Sequence, residues 1–552
     1  MATAQDSSTT PDSPPTADYD AIIIGAGISG MYQLHRLREL GLSVKVYETA
    51  SGVGGTWYWN RYPGCRFDSE SETYGYSWSD EVLQEWNWTE HFAAQPETER
   101  YLNFVADKFD LRRDMQFNTR VAKATFDEAS RRWEVEMEDG STARAELLIS
   151  ATGPLNAHTM PRIPGIDTFK GDWAHTARYP KEGFGGRGND FSGKRVGVIG
   201  TGATGVQVIQ EVAKTADELT VFQLSPEWCT PLHNSPITEK EMADIKKNYT
   251  QIFKECNETF GAFHHMLDGR SALEVSDEER EAFFEEKYAE PGFGIWLGNF
   301  ADILFDQRSN DLITEFITRK IRERVNDPQT AENLIPKDHG FGTRRVPQET
   351  GYYEVYNQDN VTLVNLQDTP IEEITPNGVK CSDEDYDLDI IIYATGFDAV
   401  VGSLKRIDIT GKGGQKLADK WKNGPRTYLG MQSAGFPNLF TLVGPHNGAT
   451  FCNIPRCIEQ NVGWLTDLIA HMKRENIHQV EPTLDAEDAW TAHVDETAAA
   501  TLFAKVDSWF MGVNVNNPTQ KRTFMLYAGG QMNYKAKCDE SAEDGYEGFV
   551  LT

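Results

Sequence analysis

Cysteine, positive charge and long apolar runs are all scarce in this chain. Seven cysteines among 552 residues, Cys65, Cys229, Cys256, Cys381, Cys452, Cys457 and Cys538, are scattered and odd in number. That excludes a disulfide framework and a zinc cluster, so no metal site is expected, and it suits a reducing compartment. Cys452 and Cys457 alone have the spacing of a redox pair. They fall far from the glycine-rich turn near the start of the chain, where such a pair would be expected, and are read as packing residues. Lysine and arginine number 53 against 84 Asp and Glu, a net charge of −31. An acidic surface argues against nucleic acid or an anionic membrane as partner, and a site for anionic ligands must gather its cations locally. No apolar run reaches the length of a membrane span. Residues 1–18 lack a basic start and an apolar core, and are expected to be a disordered tail, not a signal peptide. The ending Phe549-Val-Leu-Thr552 matches no address or anchor. The expectation is a soluble, cytoplasmic protein of two or three domains. The sequence specifies no oligomeric state, and a monomer is compatible with it.

Two glycine-rich turns are there instead. Gly25-Ala-Gly27-Ile-Ser-Gly30 follows the apolar run Tyr19–Ile24, and a helical pattern from Met31 to Leu40 follows the turn. Leu42–Glu48 then alternates as a second strand that ends in an acid. In such a unit the glycines allow a tight turn, close approach of backbone to a pyrophosphate, and packing of helix on strand; the helix N-terminus faces the phosphates. Glu48 is placed to accept hydrogen bonds from ribose hydroxyls, which points to FAD. Gly200-Thr-Gly202-Ala-Thr-Gly205 repeats the plan between a strand at Lys194–Ile199 and a helix from Val206 to Lys214. After its second strand, Leu219–Gln223, come Leu224 and Ser225 in place of an acid. Nothing there repels a 2′-phosphate, so NADPH is favoured over NADH, although the usual arginine is missing too.

Glu146–Gly153 and Asp389–Gly396 are apolar strands that both run into Ala-Thr-Gly. They are read as the crossings between two nucleotide domains. The predicted fold class is α/β, with two Rossmann-like dinucleotide-binding domains, the NADP domain being inserted in the FAD domain. The boundaries follow: 19–155 and 389–552 for FAD, and 156–388 for NADP with a helical insert at about 236–335. Arg456 to Arg474 reads as an amphipathic helix.

Between the turns lies Phe169-Lys-Gly171-Asp-Trp-Ala-His175-Thr-Ala-Arg-Tyr179-Pro180. It resembles the fingerprint of the flavin-dependent Baeyer–Villiger monooxygenases through Phe169, Gly171, His175 and Pro180, with Tyr179 where Trp is usual. The flavin-containing and N-hydroxylating monooxygenases carry Tyr or Phe there, so the run alone leaves both groups open. His175 is read as an organiser of the interdomain linker, not as a base. Gly54–Asp68, with Gly55, Thr56, Trp57, Tyr58 and Trp59, is similar to the flavin-covering segment of cyclohexanone and phenylacetone monooxygenases, which ends in an active-site aspartate. Pro336–Arg345 is similar to the segment that carries their catalytic arginine. Val506-Asp-Ser-Trp509 looks like the loop whose Trp closes over the nicotinamide, and Gly444–Phe451 like a loop that shapes the ketone pocket.

What the resemblance implies is an oxygen insertion beside a ketone carbonyl, with FAD, NADPH and O₂, giving an ester or lactone. The attacking species is a flavin C4a-peroxide anion, which needs a permanent cation in a dry site; arginine keeps its proton there. The resemblance places that role on Arg345, held by Asp68. It also implies FAD contacts at Gly25, Gly27, Gly30, Glu48, Gly55, Thr56, Trp57, Tyr58, Trp59, Asp68, Tyr74, Val121 and Ile454. The implied NADP contacts are Arg66, Thr201, Gly202, Ala203, Thr204, Gly205, Gln207, Ser225, Arg344, Arg345 and Trp509, with Arg344 the cation for the 2′-phosphate. The alternative readings are a monooxygenase of soft N or S nucleophiles, and a flavoprotein acting only as oxidase or sensor.

Overall fold

The computed structural model describes residues 17–448, 452–517 and 520–552. The expected tail lies outside the described residues up to 16. Its last two positions, Ala17 and Asp18, belong to the strand Ala17–Ile24.

Two sheets organise the chain. The first runs in the order Asp408–Thr410, Val121–Asp127, Arg132–Met137, Thr142–Ser150, Ala17–Ile24, Val44–Tyr47, Met115–Gln116, with Leu439–Thr441 also on Thr142–Ser150. Its centre is parallel: Ile24 sits opposite Tyr47 on one side and Ser150 on the other. The second half of the middle strand, Ala21–Ile24, is wholly apolar, as a parallel interior position demands; Ala21, Ile22 and Ile23 are fully buried. The second sheet is parallel throughout, in the order Val361–Asn365, Glu218–Gln223, Arg195–Ile199, Ile390–Tyr393, Asp172–His175. Each sheet receives a helix straight after its glycine turn, Ile28–Glu39 in the first and Ala203–Val212 in the second.

One expected boundary moves. Residues 389 onward were assigned to the returning FAD segment, but Ile390–Tyr393 is an inner strand of the second sheet. Ile390 pairs with Val196 and with Asp172. Four buried apolar residues in a row fit a parallel interior position, so the chain leaves this sheet at Ala394-Thr395-Gly396, after the strand.

The stretch 236–335 is helical, with Glu239–Asn257, Asp277–Ala289, Gln307–Arg324 and Pro328–Leu334 as its longer helices. Glu239–Asn257 begins in a full capping box, Thr238 with Glu241, which explains where this polar helix starts. The amphipathic helix spans Ile454–Glu475 and ends at Asn476 in the left-handed region. Cys452 and Cys457, expected as packing residues, are disulfide-bonded across its first turn; one helical turn plus the N-cap brings the two side chains together. Among the described residues, no helix is long and apolar enough to cross a membrane.

Candidate active site

The first turn is built to leave its donors free. The helix Ile28–Glu39 has Gly27 as N-cap and no side-chain cap, so the N–H groups of its first turn are available to meet an anion. Gly25 holds φ 109, and a Cβ there would stand 2.5 Å from the Ala151 carbonyl oxygen. Only glycine fits that close a floor. Gly30 packs against the underside of the turn, with the Ala151 side chain beside it, and does not face the cleft.

Above the turn lies a cleft lined by Gly25, Gly27, Glu48, Gly55, Thr56, Trp57, Trp59, Tyr74, Val121 and Ile454. Ten of the thirteen residues that the resemblance assigns to FAD therefore share one cavity. Glu48 is buried, and its two carboxylate oxygens accept from the backbone N–H groups of Ala26 and Ala50, each at 2.7 Å. Burial raises its pKa, opposed by those hydrogen bonds; each oxygen keeps acceptor capacity for a hydroxyl. Trp57 donates to the Tyr74 hydroxyl at 3.0 Å, which fixes two walls. Tyr58 is the exception in its segment. Its hydroxyl pairs with Ser51 at 2.6 Å and its ring lies under Arg61, away from the cleft.

The sequence reading missed the cleft's cations. Arg120, Arg178 and Arg406 converge on it from three separate segments. Arg178 lies inside the fingerprint run, at a position the fingerprint does not specify. With available helix N–H groups, a ribose acceptor and gathered positive charge, the cleft fits a dinucleotide such as FAD.

The second turn repeats the first. The helix Ala203–Val212 has Gly202 as N-cap, again without a side-chain cap. Gly200 holds φ 108, with the Ala394 carbonyl oxygen 2.5 Å from a Cβ built there. Thr201 donates to the Ser225 carbonyl at 2.9 Å. Arg344 reaches this edge: it donates to Ser225 Oγ at 3.2 Å and to Asp338 at 2.7 Å, with Glu227 at 3.6 Å. Leu224 stays 47% exposed beside it. The two carboxylates aim the guanidinium at the rim without an acid at the strand end itself. Gln207 of the same helix accepts from Tyr62 at 2.7 Å and donates to the Arg66 carbonyl at 3.1 Å, joining the second unit to the covering segment. The Arg66 guanidinium is committed elsewhere, to Glu90 at 2.9 Å and the Phe92 carbonyl at 3.1 Å.

The fingerprint forms the edge strand Asp172–His175 and the turn after it. Phe169 is a core residue, and Gly171 passes close to the Asp389 carbonyl. His175 is buried, accepts from the Ala177 N–H at 3.0 Å and lies 4.8 Å from the His158 ring and 6.0 Å from Phe397. Burial first, then the neighbouring His158 and Arg178, lower its pKa to about 3. Tyr179 is buried against Phe184, 5.1 Å away, with Pro180 next in the chain.

Arg345 and Asp68, 277 positions apart, form a direct ion pair, both side chains partly buried. Arg345 also donates to the Val346 carbonyl at 2.9 Å and lies over the Phe293 ring. Asp68 ends the covering segment, so the pair stands where that segment meets the helical insert. Trp509 is half-buried, 4.6 Å from Phe510, at the start of a short turn. Beyond it, Asn514 donates to the Phe397 carbonyl at 2.7 Å and Asn516 to the Thr395 carbonyl at 3.1 Å, fastening that loop to the crossing between the sheets. Of the loop Gly444–Phe451, residues 449–451 lie outside the described residues. Its His446 N–H donates to the Met525 carbonyl at 2.9 Å.

The flavin-binding monooxygenase-like family matches residues 19–232. A 2-oxo-Δ3-4,5,5-trimethylcyclopentenylacetyl-CoA monooxygenase of Pseudomonas putida is 50% identical over 96% of this chain and 98% of its own. A Baeyer–Villiger monooxygenase of Pseudooceanicola batsensis is 44% identical, covering 97% of this chain and 96% of its own. The solved structure of OTEMO in complex with FAD and NADP superposes with a TM-score of 0.94 at 49% identity, over 98% of this chain and all of that one. Relatives this similar over nearly the full length show that the chain belongs to the Baeyer–Villiger monooxygenases, within the flavin-binding monooxygenase-like family.

Proposed function

We propose that this protein uses FAD, NADPH and O₂ to insert one oxygen beside the carbonyl of a ketone, releasing an ester or lactone. The observation that carries the reading is the Arg345–Asp68 pair. FAD held by the first glycine turn and Glu48 would, once reduced by NADPH, activate O₂. Everything else falls to the chain's own residues.

Arg345 supplies a fixed positive charge where negative charge develops on the ketone oxygen during addition. A preformed donor of this kind lowers a barrier by about 3–4 kcal/mol. Asp68 holds the guanidinium in place and tempers its charge, so that a second cation, the nicotinamide ring, can lie nearby. Arg344, aimed at the rim of the second turn, reads the 2′-phosphate of NADPH. Trp509 and the loop after it exclude water from the reacting atoms. Oxidation of soft N or S centres has less need of this cation, so the pair favours ketone chemistry.

The test is product analysis. Purified protein, NADPH and a panel of cyclic, linear and aryl ketones are incubated in air, and products are identified by mass. One ester per NADPH is expected. Hydrogen peroxide alone, or N- and S-oxides from an amine and a sulfide assayed alongside with no ester from any ketone, would overturn the reading.

A further inference from the structure

The chain carries a net charge of −31, yet the cleft above its first glycine turn gathers three arginines, and one of them comes from the fingerprint. Arg178 donates to the Ala177 carbonyl at 2.6 Å and to Asn156 Oδ1 at 3.3 Å, and its Cζ lies 4.2 Å from the Trp59 ring centroid. None of these partners is anionic. Arg406 donates to the His158 carbonyl at 3.1 Å. Arg120 pairs with Glu138 at 3.3 Å, and Arg120 and Arg406 are both exposed. Burial lowers the Arg178 pKa, and the like charges of Arg120 and Arg406 lower it further; Glu48 acts the other way. Arg178, partly buried beside two like charges and with no anion among its hydrogen-bond partners, is the one that gains most from an anionic ligand in this cleft.

The glycine turn provides backbone N–H groups on one wall of the same cleft, and Glu48 marks where the ribose is held. We propose that Arg178 is a binding residue for the diphosphate–ribose part of the flavin dinucleotide, so that the linker carrying the fingerprint closes on FAD itself. Stacked on Trp59, the planar guanidinium presents its fork with little freedom left to lose. His175, three residues earlier, sets the linker on the second sheet; Arg178 sets it on the cofactor of the first. The inference rests on the reading that FAD fills this cleft.

The experiment compares two flavins on apo-protein by fluorescence titration: FAD, and riboflavin, which has the ring but no phosphate. In Arg178→Gln the Kd for FAD should rise about tenfold, the size expected for one charge-assisted hydrogen bond, while riboflavin affinity stays as in the wild type. Added salt should weaken wild-type FAD binding more than that of the variant. An unchanged FAD affinity overturns the proposal. So does an equal loss for both flavins, which would mean that Arg178 only props up Trp59. Should Arg178→Gln not fold, Arg178→Lys gives the same comparison: it keeps the charge but loses the fork, and FAD should weaken while riboflavin does not. Wild-type protein that binds neither flavin would overturn the FAD reading and the role of Arg178 with it, whereas wild-type binding with an unchanged variant overturns the role of Arg178 alone.

Discussion

Gly25 and Gly200 hold the same backbone angle, each over the carbonyl of an alanine in an Ala-Thr-Gly crossing, and each opens a helix with no side-chain cap. The backbone of a phosphate turn is thus made twice from the same parts. The strand ends differ. The first supplies Glu48, fixed by two backbone N–H groups; the second supplies Leu224 and Ser225, with Arg344 brought in from a distant segment. Backbone geometry says that a dinucleotide binds, and the side chain one strand away says which one.

Splitting the pair of turns gives the largest effect. Gly25→Ala forces a Cβ against the Ala151 oxygen at a φ that costs of order 1–3 kcal/mol on strain alone, and should yield colourless protein without FAD. Gly200→Ala should stay yellow and lose rapid reduction by NADPH. Absorbance near the flavin band and stopped-flow bleaching read the two outcomes; a colourless Gly200→Ala would break the assignment. Arg345→Ala, at the meeting point of the two regions, should keep FAD and lose about two to three orders of magnitude in ester formation. Undiminished turnover, followed by product mass, would remove Arg345 from the mechanism.

A smaller change is expected at the second strand end. Arg344→Ala should narrow the NADPH-over-NADH ratio of kcat/KM about tenfold or more, one charged contact being worth about 1.5–3 kcal/mol. An unaltered ratio would mean that another group reads the 2′-phosphate. A last effect is on pH, and it falls on stability and not on turnover. His175 is buried neutral with a pKa near 3. Below about pH 6.5 the unfolded chain takes up a proton that the native state refuses. Stability is therefore lost as pH falls from about 6.5 towards 3, by at most about 1.4 kcal/mol per pH unit. Thermal midpoints at pH 7 and pH 5 should draw closer together in His175→Gln than in the wild type.

The two nucleotide units were legible because their signals are local: a buried apolar strand, a glycine turn and a helix lie side by side in the chain. The Arg345–Asp68 pair was legible only through resemblance, since 277 positions separate its members. What the sequence hid depends on convergence. Arg178 looks like filler between His175 and Tyr179 until Arg120 and Arg406 are seen beside it. Arg66, an NADP contact by resemblance, has its guanidinium on Glu90, a partner 24 positions away. Tyr58 sits in an aromatic run whose neighbours line the cleft, but it turns to Ser51. The strand Ile390–Tyr393 was put on the wrong side of a border because Ala-Thr-Gly marks where the chain leaves a sheet, and the strand before it still belongs to that sheet.

Ala151 and Ala394 each do two jobs: they carry the chain across, and they are the floor on which a glycine turn rests. Crossing and turn floor are therefore the same few atoms. A hybrid enzyme assembled by swapping the inner unit should have its seams cut outside both tripeptides. Adding or deleting even one residue within them would tilt a cofactor as surely as it would lengthen a tether.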